Sequence, residues 1–592
     1  MRRLLESPNT GAHDLTELSG LDCLAAASML LAAEADGGGG RARATTAASA
    51  PAPSQQQQQQ PHPILAAQRL ATQAFGSRAT FFLVNGTSGG LHAAVAACCA
   101  DGDALVAPRS CHQSAFFAAA VAGAVPHWLE PERQRVGRGG GGVPKEDTSS
   151  RRYFESIAHG VTAEQVARAI DQAQEDDGEG GPLATGTTER PTRRNVGAVL
   201  ITSPTYFGAV AHVREIAREC HRRGVPLIVD EAHGAHLAPL RRAVVGVEGA
   251  SPLLLPRVPE PALAQGADIS VQSAHKTLTA LTQAALLHVG GGGGEGGATT
   301  TPTTPPLVPA WRVARCLQAL QSSSPSYLLT SSLDAARALA FGGKGDEGTA
   351  AAAAGWLAAL RGADAVREGL RRRVPRARLL EDLYGEGGAK NSSVAGWDPL
   401  RIVVDVSGLG AGGPLSTGGG AAAWLERERG VVAELSLGPL VVLVWGGNGG
   451  GGSELTLQQH EEDAERVIGA FEALAEGAKD EEGERRGEED DEDDEDDETA
   501  ATAAPALSPR EALFGAACLP PPRRVPLDVA ARENLVSAEL LCPYPPGVPE
   551  VLPGERLSKA AARRLRAALR SGGTVAGASD ASLGTVLVFA GG

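Results

Sequence analysis

The sequence predicts an α/β protein built on a mainly parallel sheet, and three observations carry that expectation. Short, almost wholly apolar segments such as TFFLV (80–84) and VGAVLITSP (196–204) alternate with helix-length stretches. Such strands lack the polar alternation of a half-exposed sheet, so both faces are expected to be covered by helices. Polar or reactive residues follow directly after five of the strands: NGTSGG, PRSCHQS, TSPTYFG, DEAHGAH and SAHK. In an open parallel sheet, ligands sit beyond the carboxyl ends of the strands.

Taken in order, ILAAQRLATQAFG after Pro63 is an amphipathic helix with a stop at Gly76. TFFLV is a strand, NGTSGG a turn, LHAAVAACCA a helix, DALVAP a strand, HQSAFFAAAVAG a helix and AVPHWLE a strand. Insertions are expected at about 132–150 and 172–193, where charge and glycine replace the apolar pattern. The alternation resumes with VGAVLITSP, the helix VAHVREIARECHRRG, and the strands VPLIVDEAH and ADISVQSAH. A helical segment follows Pro305, and a Gly/Ala insertion is expected around 342–355. The resulting division is an N-terminal segment (1–36), a low-complexity linker (37–61), a major domain (62–345), a small α+β domain (356–475), an acidic linker (476–505) and a C-terminal module (506–592). The Pro-rich part of that last module reads as an ordered loop.

Composition narrows the function. At 592 residues the chain is too long for one core. Many of its 75 glycines lie in runs such as Gly37–Gly40 and Gly290–Gly294, expected to be disordered surface insertions. The formal charge of −16 is concentrated in Asp480–Glu498, which holds 15 acids against Arg485 and Arg486. What remains is close to neutral and shows no basic stripe, which argues against nucleic acid as a partner. The eight cysteines form no CxxC pair and no zinc-like spacing, so reduced thiols are expected. No apolar run reaches the ~20 residues of a membrane span, and no secretion leader is visible. A soluble intracellular protein is expected, with the cytoplasm as first choice.

Only six lysines occur, and one of them, Lys276, sits in the small-residue segment SAHKTLTALTQ. Arginine stays protonated, whereas a desolvated lysine loses its proton and can attack carbonyls. On this segment alone, a lysine packed at a strand end explains the residue equally well. NGTSGG, opening a helix, offers backbone N–H groups and the Thr87 and Ser88 hydroxyls to a phosphate. VDEAH (229–233) resembles a helicase box, but no GxxxxGK[ST] loop accompanies it. His233 and His236 lack further metal ligands at suitable spacing, so no metal is expected. A carboxylate ending a buried strand, Asp230, needs a cationic partner. A phosphate, a ring nitrogen paired with an acid and a carbonyl paired with an amine together describe pyridoxal 5′-phosphate.

The motifs HDLTELSGLD, TFFLVNGTSGG, PRSCHQS, TSPTYFG, LIVDEAHGAH, SAHKTLTALTQ, DPLRIVVDVSGLG and SAELLCPYPPGVPEVLPGE resemble those of the Orn/Lys/Arg decarboxylases. The resemblance implies the fold type I architecture of pyridoxal-phosphate enzymes, with a mainly parallel sheet, a smaller α+β domain and a C-terminal decarboxylase module. It implies decarboxylation of lysine, arginine or ornithine to a polyamine-type amine. Lys276 would hold the cofactor aldehyde, Asp230 its ring nitrogen, and His112 would stack on the ring. Thr87, Ser88, Gly89, Ser273 and His275 would hold the phosphate, and His233 would lie on the ring's hydroxyl side. Lys276 or His112 would return the proton. Glu555 would meet the substrate's distal cation, although a turn or cap explains it as well. Ser323 or Ser324 would reach a neighbouring subunit's phosphate, implying a homodimer or larger homo-oligomer. Three departures stand out: no PGHK-like segment precedes HDLTEL, Gln113 replaces the lysine that follows the stacking histidine, and long Gly/Ala/Gln insertions fall between the motifs. The rival readings are an inactive homologue acting as a regulatory partner and a different reaction such as transamination. Retention of both Asp230 and Lys276 argues against the first.

Overall fold

A computed structural model of the chain describes residues 62–135, 156–175, 195–246, 257–291, 306–343, 345–385, 393–409, 413–446, 454–482, 505–515, 519, 521–544, 547–570 and 573–589. The N-terminal segment, the glutamine-rich linker and most of the acidic run lie outside the described residues.

The major domain begins with helix α1 (Pro63–Phe75), closed by Gly76 in the left-handed region as its sequence predicts. Strand β1 (Ala79–Leu83) leads into helix α2 (Gly86–Cys98). NGTSGG is therefore not a separate turn: all but Asn85 of it forms the first turn of the helix. Strand β2 (Ala104–Pro108), helix α3 (Gln113–Ala122) and strand β3 (Val125–Leu129) follow. The first expected insertion opens with strand β4 (Glu132–Arg135), paired antiparallel with β5 (Ser156–Gly160). Helix α4 (Ala163–Glu175) then leads to β6 (Val196–Thr202), β7 (Ala209–Ala211), helix α5 (Val213–Arg222) and β8 (Leu227–Asp230). Strand β9 (Ile269–Gln272), the single helical turn α6 (Ala274–Thr277) and β10 (Ala285–Val289) complete the layer.

The sheet order is β1-β10-β9-β8-β6-β2-β3. Neighbours from β9 to β3 run parallel, and β10 alone is antiparallel to both of its neighbours. Apolar clusters lie on both faces, which explains the unbroken apolar strands. Gly90 shows how tightly α2 is seated. A Cβ there would come within 2.6 Å of both Leu83 Cδ1 and Val271 Cγ1, so the helix rests directly on β1 and β9.

The small domain follows helices α7 (Ala310–Leu320) and α8 (Tyr327–Phe341). Its long helix α9 (Asp346–Arg373) absorbs most of the expected Gly/Ala insertion. Alanine is the strongest helix former, and Asp346 and Glu347 at the start with Arg371–Arg373 at the end suit the helix dipole. Strands β11 (Arg378–Leu379), β13 (Arg401–Asp405), β14 (Leu435–Leu437) and β15 (Leu440–Val444) form a four-stranded antiparallel sheet, while β12 (Val394–Trp397) pairs with β7 of the major domain. The C-terminal module has its own core around Leu527, Leu541, Leu557 and Leu565. It is fastened to the loop after β2 by Arg109, whose guanidinium donates to the carbonyls of Pro549 and Glu550.

Candidate active site

A cavity of about 490 Å³ opens over the carboxyl ends of β2, β6 and β8 and the turn after β9. Thr87, His112, Asp230, His233, His275 and Lys276 all reach its walls, so the structure gathers residues spread over nearly 200 positions of sequence.

Asp230 ends β8 deep in the interior, 4% exposed. One of its oxygens accepts the Ala232 N–H at 3.1 Å. Burial raises its pKa to about 6, against the opposing pull of the Lys276 charge. Its neighbour Glu231 is a structural group: it accepts bonds from Ser270 Oγ (2.6 Å), Gln272 Nε2 (2.8 Å) and the Ala262 N–H (3.0 Å). The DEAH string is thus explained by two carboxylates on opposite sides of one strand end, not by nucleotide hydrolysis.

Lys276 lies on α6, so SAHK coils at once and does not continue the extended strand. The lysine side chain is solvent-accessible through the cavity, yet dense surroundings lower its pKa by desolvation, opposed by Asp230. Its Nζ is 3.1 Å from His233 Nε2. His233 is buried between Lys276 and Arg401, whose Nη2 donates to His233 Nδ1 at 3.2 Å.

His112 caps the N-terminus of α3. Its Nδ1 accepts the Ser114 N–H at 3.2 Å and lies 2.8 Å from Ser114 Oγ. Burial, then the Lys276 charge, lowers its pKa to about 4, so the ring is neutral at neutral pH. Gly547, at φ +87°, brings the C-terminal loop against this ring: a Cβ there would lie 3.3 Å from His112 Cδ2. Thr87 Oγ1, in the first turn of α2, meets Ser273 Oγ at 3.3 Å. Ser88 and Gly89 belong to that turn, and His275 Nδ1 bonds the Ala284 carbonyl oxygen at 3.1 Å.

Glu555 stands apart from the cavity walls. Its carboxylate accepts the Leu552 N–H at 2.8 Å, as the turn reading open in the sequence allows, and Arg109 Nη2 at 2.9 Å, which the sequence did not indicate. Ser323 and Ser324 are exposed between α7 and α8. Sequence reasoning missed four wall or supporting residues: Thr202, Tyr206, Arg401 and Glu434. Tyr206 donates to Glu434 at 3.0 Å and packs its ring 4.7 Å from that of His233. The motifs TSPTYFG and DPLRIVVDVSGLG contained Tyr206 and Arg401, but no local spacing marked Glu434.

The family described as "Orn/Lys/Arg decarboxylase, major domain" matches residues 58–353, half of the chain, and the corresponding C-terminal domain matches 498–577. An arginine decarboxylase of Halalkalibacterium halodurans is 29% identical over 534 residues, covering 89% of this chain and 86% of that protein. The arginine decarboxylase of Bacillus subtilis is also 29% identical, covering 89% and 85%. Among solved structures, the constitutive lysine decarboxylase of Escherichia coli shares the fold with a TM-score of 0.55 at 19% identity, covering 89% of this chain and 72% of that one.

Proposed function

The chain belongs to the Orn/Lys/Arg decarboxylase family, and on that premise we propose that it releases carbon dioxide from a basic amino acid, with pyridoxal phosphate held on Lys276. The observation that carries this reading is the placement of Asp230 and Lys276 at the ends of neighbouring strands, facing one cavity.

The residues present fit the cofactor. Asp230 is buried at a cost that a protonated ring nitrogen would offset. The Thr202 hydroxyl is buried without a partner among the described residues and awaits a polar ligand. Thr87, Ser273 and the N-terminus of α2 supply donors for a phosphate. When bound, the cofactor supplies an electron sink for the pair left when the carboxyl group departs.

Each side chain then has a distinct task. Asp230 holds a negative charge at the ring-nitrogen end. His112, neutral and pinned through Nδ1, gives a flat apolar cover rather than a proton. Lys276 Nζ is left to hold and return the proton that replaces the carboxyl group; one C–C bond breaks and one C–H bond forms. Pro543, Tyr544 and Val548 of the C-terminal module line the cavity and exclude water. Asp230 and Glu434 are the carboxylates on the described walls, and with Asp230 occupied, Glu434 remains for the substrate's distal cation. Arginine is the substrate we assign first, because relatives carrying that name match along most of their length.

A second copy of the chain is proposed to dock over the exposed Ser323–Ser324 segment and the exposed Leu281 and Leu328, and light scattering would reveal the dimer. Among the described residues, no helix is long and apolar enough to cross a membrane. Borohydride reduction of cofactor-loaded protein, followed by peptide mapping, tests the cofactor reading. The adduct is expected on Lys276 and lost in Lys276→Ala; an adduct elsewhere, or none, overturns it.

A further inference from the structure

We propose that Arg401 sets the tautomer of His233 and, through it, holds the Lys276 amine in its neutral, nucleophilic form. The inference rests on the proposed role of Lys276 as the cofactor-bearing amine.

The argument is one of donors and acceptors. A guanidinium is always charged, and it donates but never accepts. Arg401 Nη2 lies 3.2 Å from His233 Nδ1, so Nδ1 must carry the lone pair. A neutral imidazole then has its proton on Nε2, the atom 3.1 Å from Lys276 Nζ. An ammonium has three N–H groups and no lone pair, so it cannot accept that proton. The contact is a hydrogen bond only when Lys276 is a neutral amine. Protonating the imidazole would set Nδ1–H against the guanidinium, and protonating the amine would set N–H against N–H. Arg401, His233 and Lys276 thus form a one-way relay of donors.

The guanidinium is placed to act this way. Arg401 is 4% exposed, and its Nε and Nη1 find no acceptor among the described residues. Its charge therefore lacks a carboxylate in direct hydrogen-bond contact, and it lies 5.7 Å from the Tyr206 ring centre. The nearby carboxylate of Asp398 is engaged by His236 at 2.9 Å. Around the amine, desolvation by its dense surroundings leads and disfavours the charged form, as does Arg401, whereas Asp230 and Glu434 favour it, and the balance lowers the lysine pKa. Around the imidazole, burial leads, followed by the charges of Lys276 and Arg401, with smaller contributions from His112 and His236, all acting downward. Arg401 begins β13 in the small domain, and Gly208 of the major domain leaves room for its stem: a Cβ on Gly208 would lie 3.0 Å from Arg401 Cβ and Cγ. Docking of the small domain is thus what completes the environment of the lysine.

The test is trace acetylation of the full-length, cofactor-free protein with isotope-labelled acetic anhydride across the pH range. Six lysines make the digest simple, and the exposed Lys559 serves as internal reference. Lys276 is expected to label with a midpoint below the ordinary lysine range. Arg401→Met should raise the Lys276 midpoint, and each pH unit of rise lowers its labelling near neutral pH about tenfold. Arg401→Lys, which keeps a donor-only cation, should restore it at least partly. His233→Phe, which removes the relay but keeps the arginine, should raise it as well. An unmoved midpoint in folded Arg401→Met overturns the proposal. Should that variant not fold, an unmoved midpoint in His233→Phe does so. Labelling needs no cofactor, so it is separable from the borohydride mapping: loss of the adduct from Lys276 with the midpoint shifts intact would sink the functional reading and leave the relay standing.

Discussion

Replacing Asp230 by asparagine should make the cofactor-free protein more stable while removing its hold on the cofactor. Asparagine keeps an oxygen for the Ala232 N–H, so the change removes charge with little loss of hydrogen bonding. The folded state raises the Asp230 pKa from 3.8 to about 6. A rise of about two, at 1.36 kcal/mol per pH unit, corresponds to roughly 3 kcal/mol. A carboxyl whose pKa is raised on folding costs nothing below its unfolded value, where both states hold the proton. The cost grows as pH climbs from about 4 to about 6 and is complete above that. Asp230→Asn should therefore gain up to about 3 kcal/mol at pH 7.5 and about half of that at pH 5. Equilibrium urea unfolding of the cofactor-free chain, followed by tryptophan fluorescence, would measure both. The same variant should bind pyridoxal phosphate far more weakly. No gain at pH 7.5, or an equal gain at both pH values, would refute the reasoning.

Other substitutions probe other parts of the site. Gly90→Val should cost about 1–3 kcal/mol by overpacking and should also weaken cofactor binding, because α2 must move off β1 and β9; thermal melting and a cofactor titration report the two effects. Gly547→Ala forces a side chain onto the His112 ring at a positive φ, and steady-state kinetics should show a lower kcat with the cofactor retained. Glu555→Gln should loosen the C-terminal module, seen as faster limited proteolysis, with KM little changed; a large KM rise alone would return Glu555 to the substrate site. Glu434→Gln should raise KM for the basic substrate about tenfold or more, as expected for losing a charge-assisted contact of 1.5–3 kcal/mol.

The fold was legible where the chemistry of the chain is local. Unbroken apolar segments marked β1, β2, β6, β8 and β9, and the residues just after them mark the cavity because strand ends share one side of a parallel sheet. Asp230, Lys276 and His112 could be read for that reason. Composition misled at 346–355, where an Ala-rich stretch looked like an insertion although it forms the first part of a helix whose end charges suit its dipole. SAHK coils where the His275 N–H reaches the Ala284 carbonyl just before β10, a contact that no local pattern records. Arg401 and Glu434 reach the site from the small domain, at sequence separations where spacing carries no information. Glu555 shows the converse: its motif was visible, but only the approach of Arg109 reveals that its carboxylate is engaged.

The most direct measurement is carbon dioxide release from carboxyl-labelled arginine, lysine and ornithine by cofactor-loaded protein, with Lys276→Ala alongside. Release is expected from at least one of the three, arginine first, and from none in the variant. No release from any of them by protein carrying the cofactor on Lys276, or undiminished release by Lys276→Ala, would contradict the account.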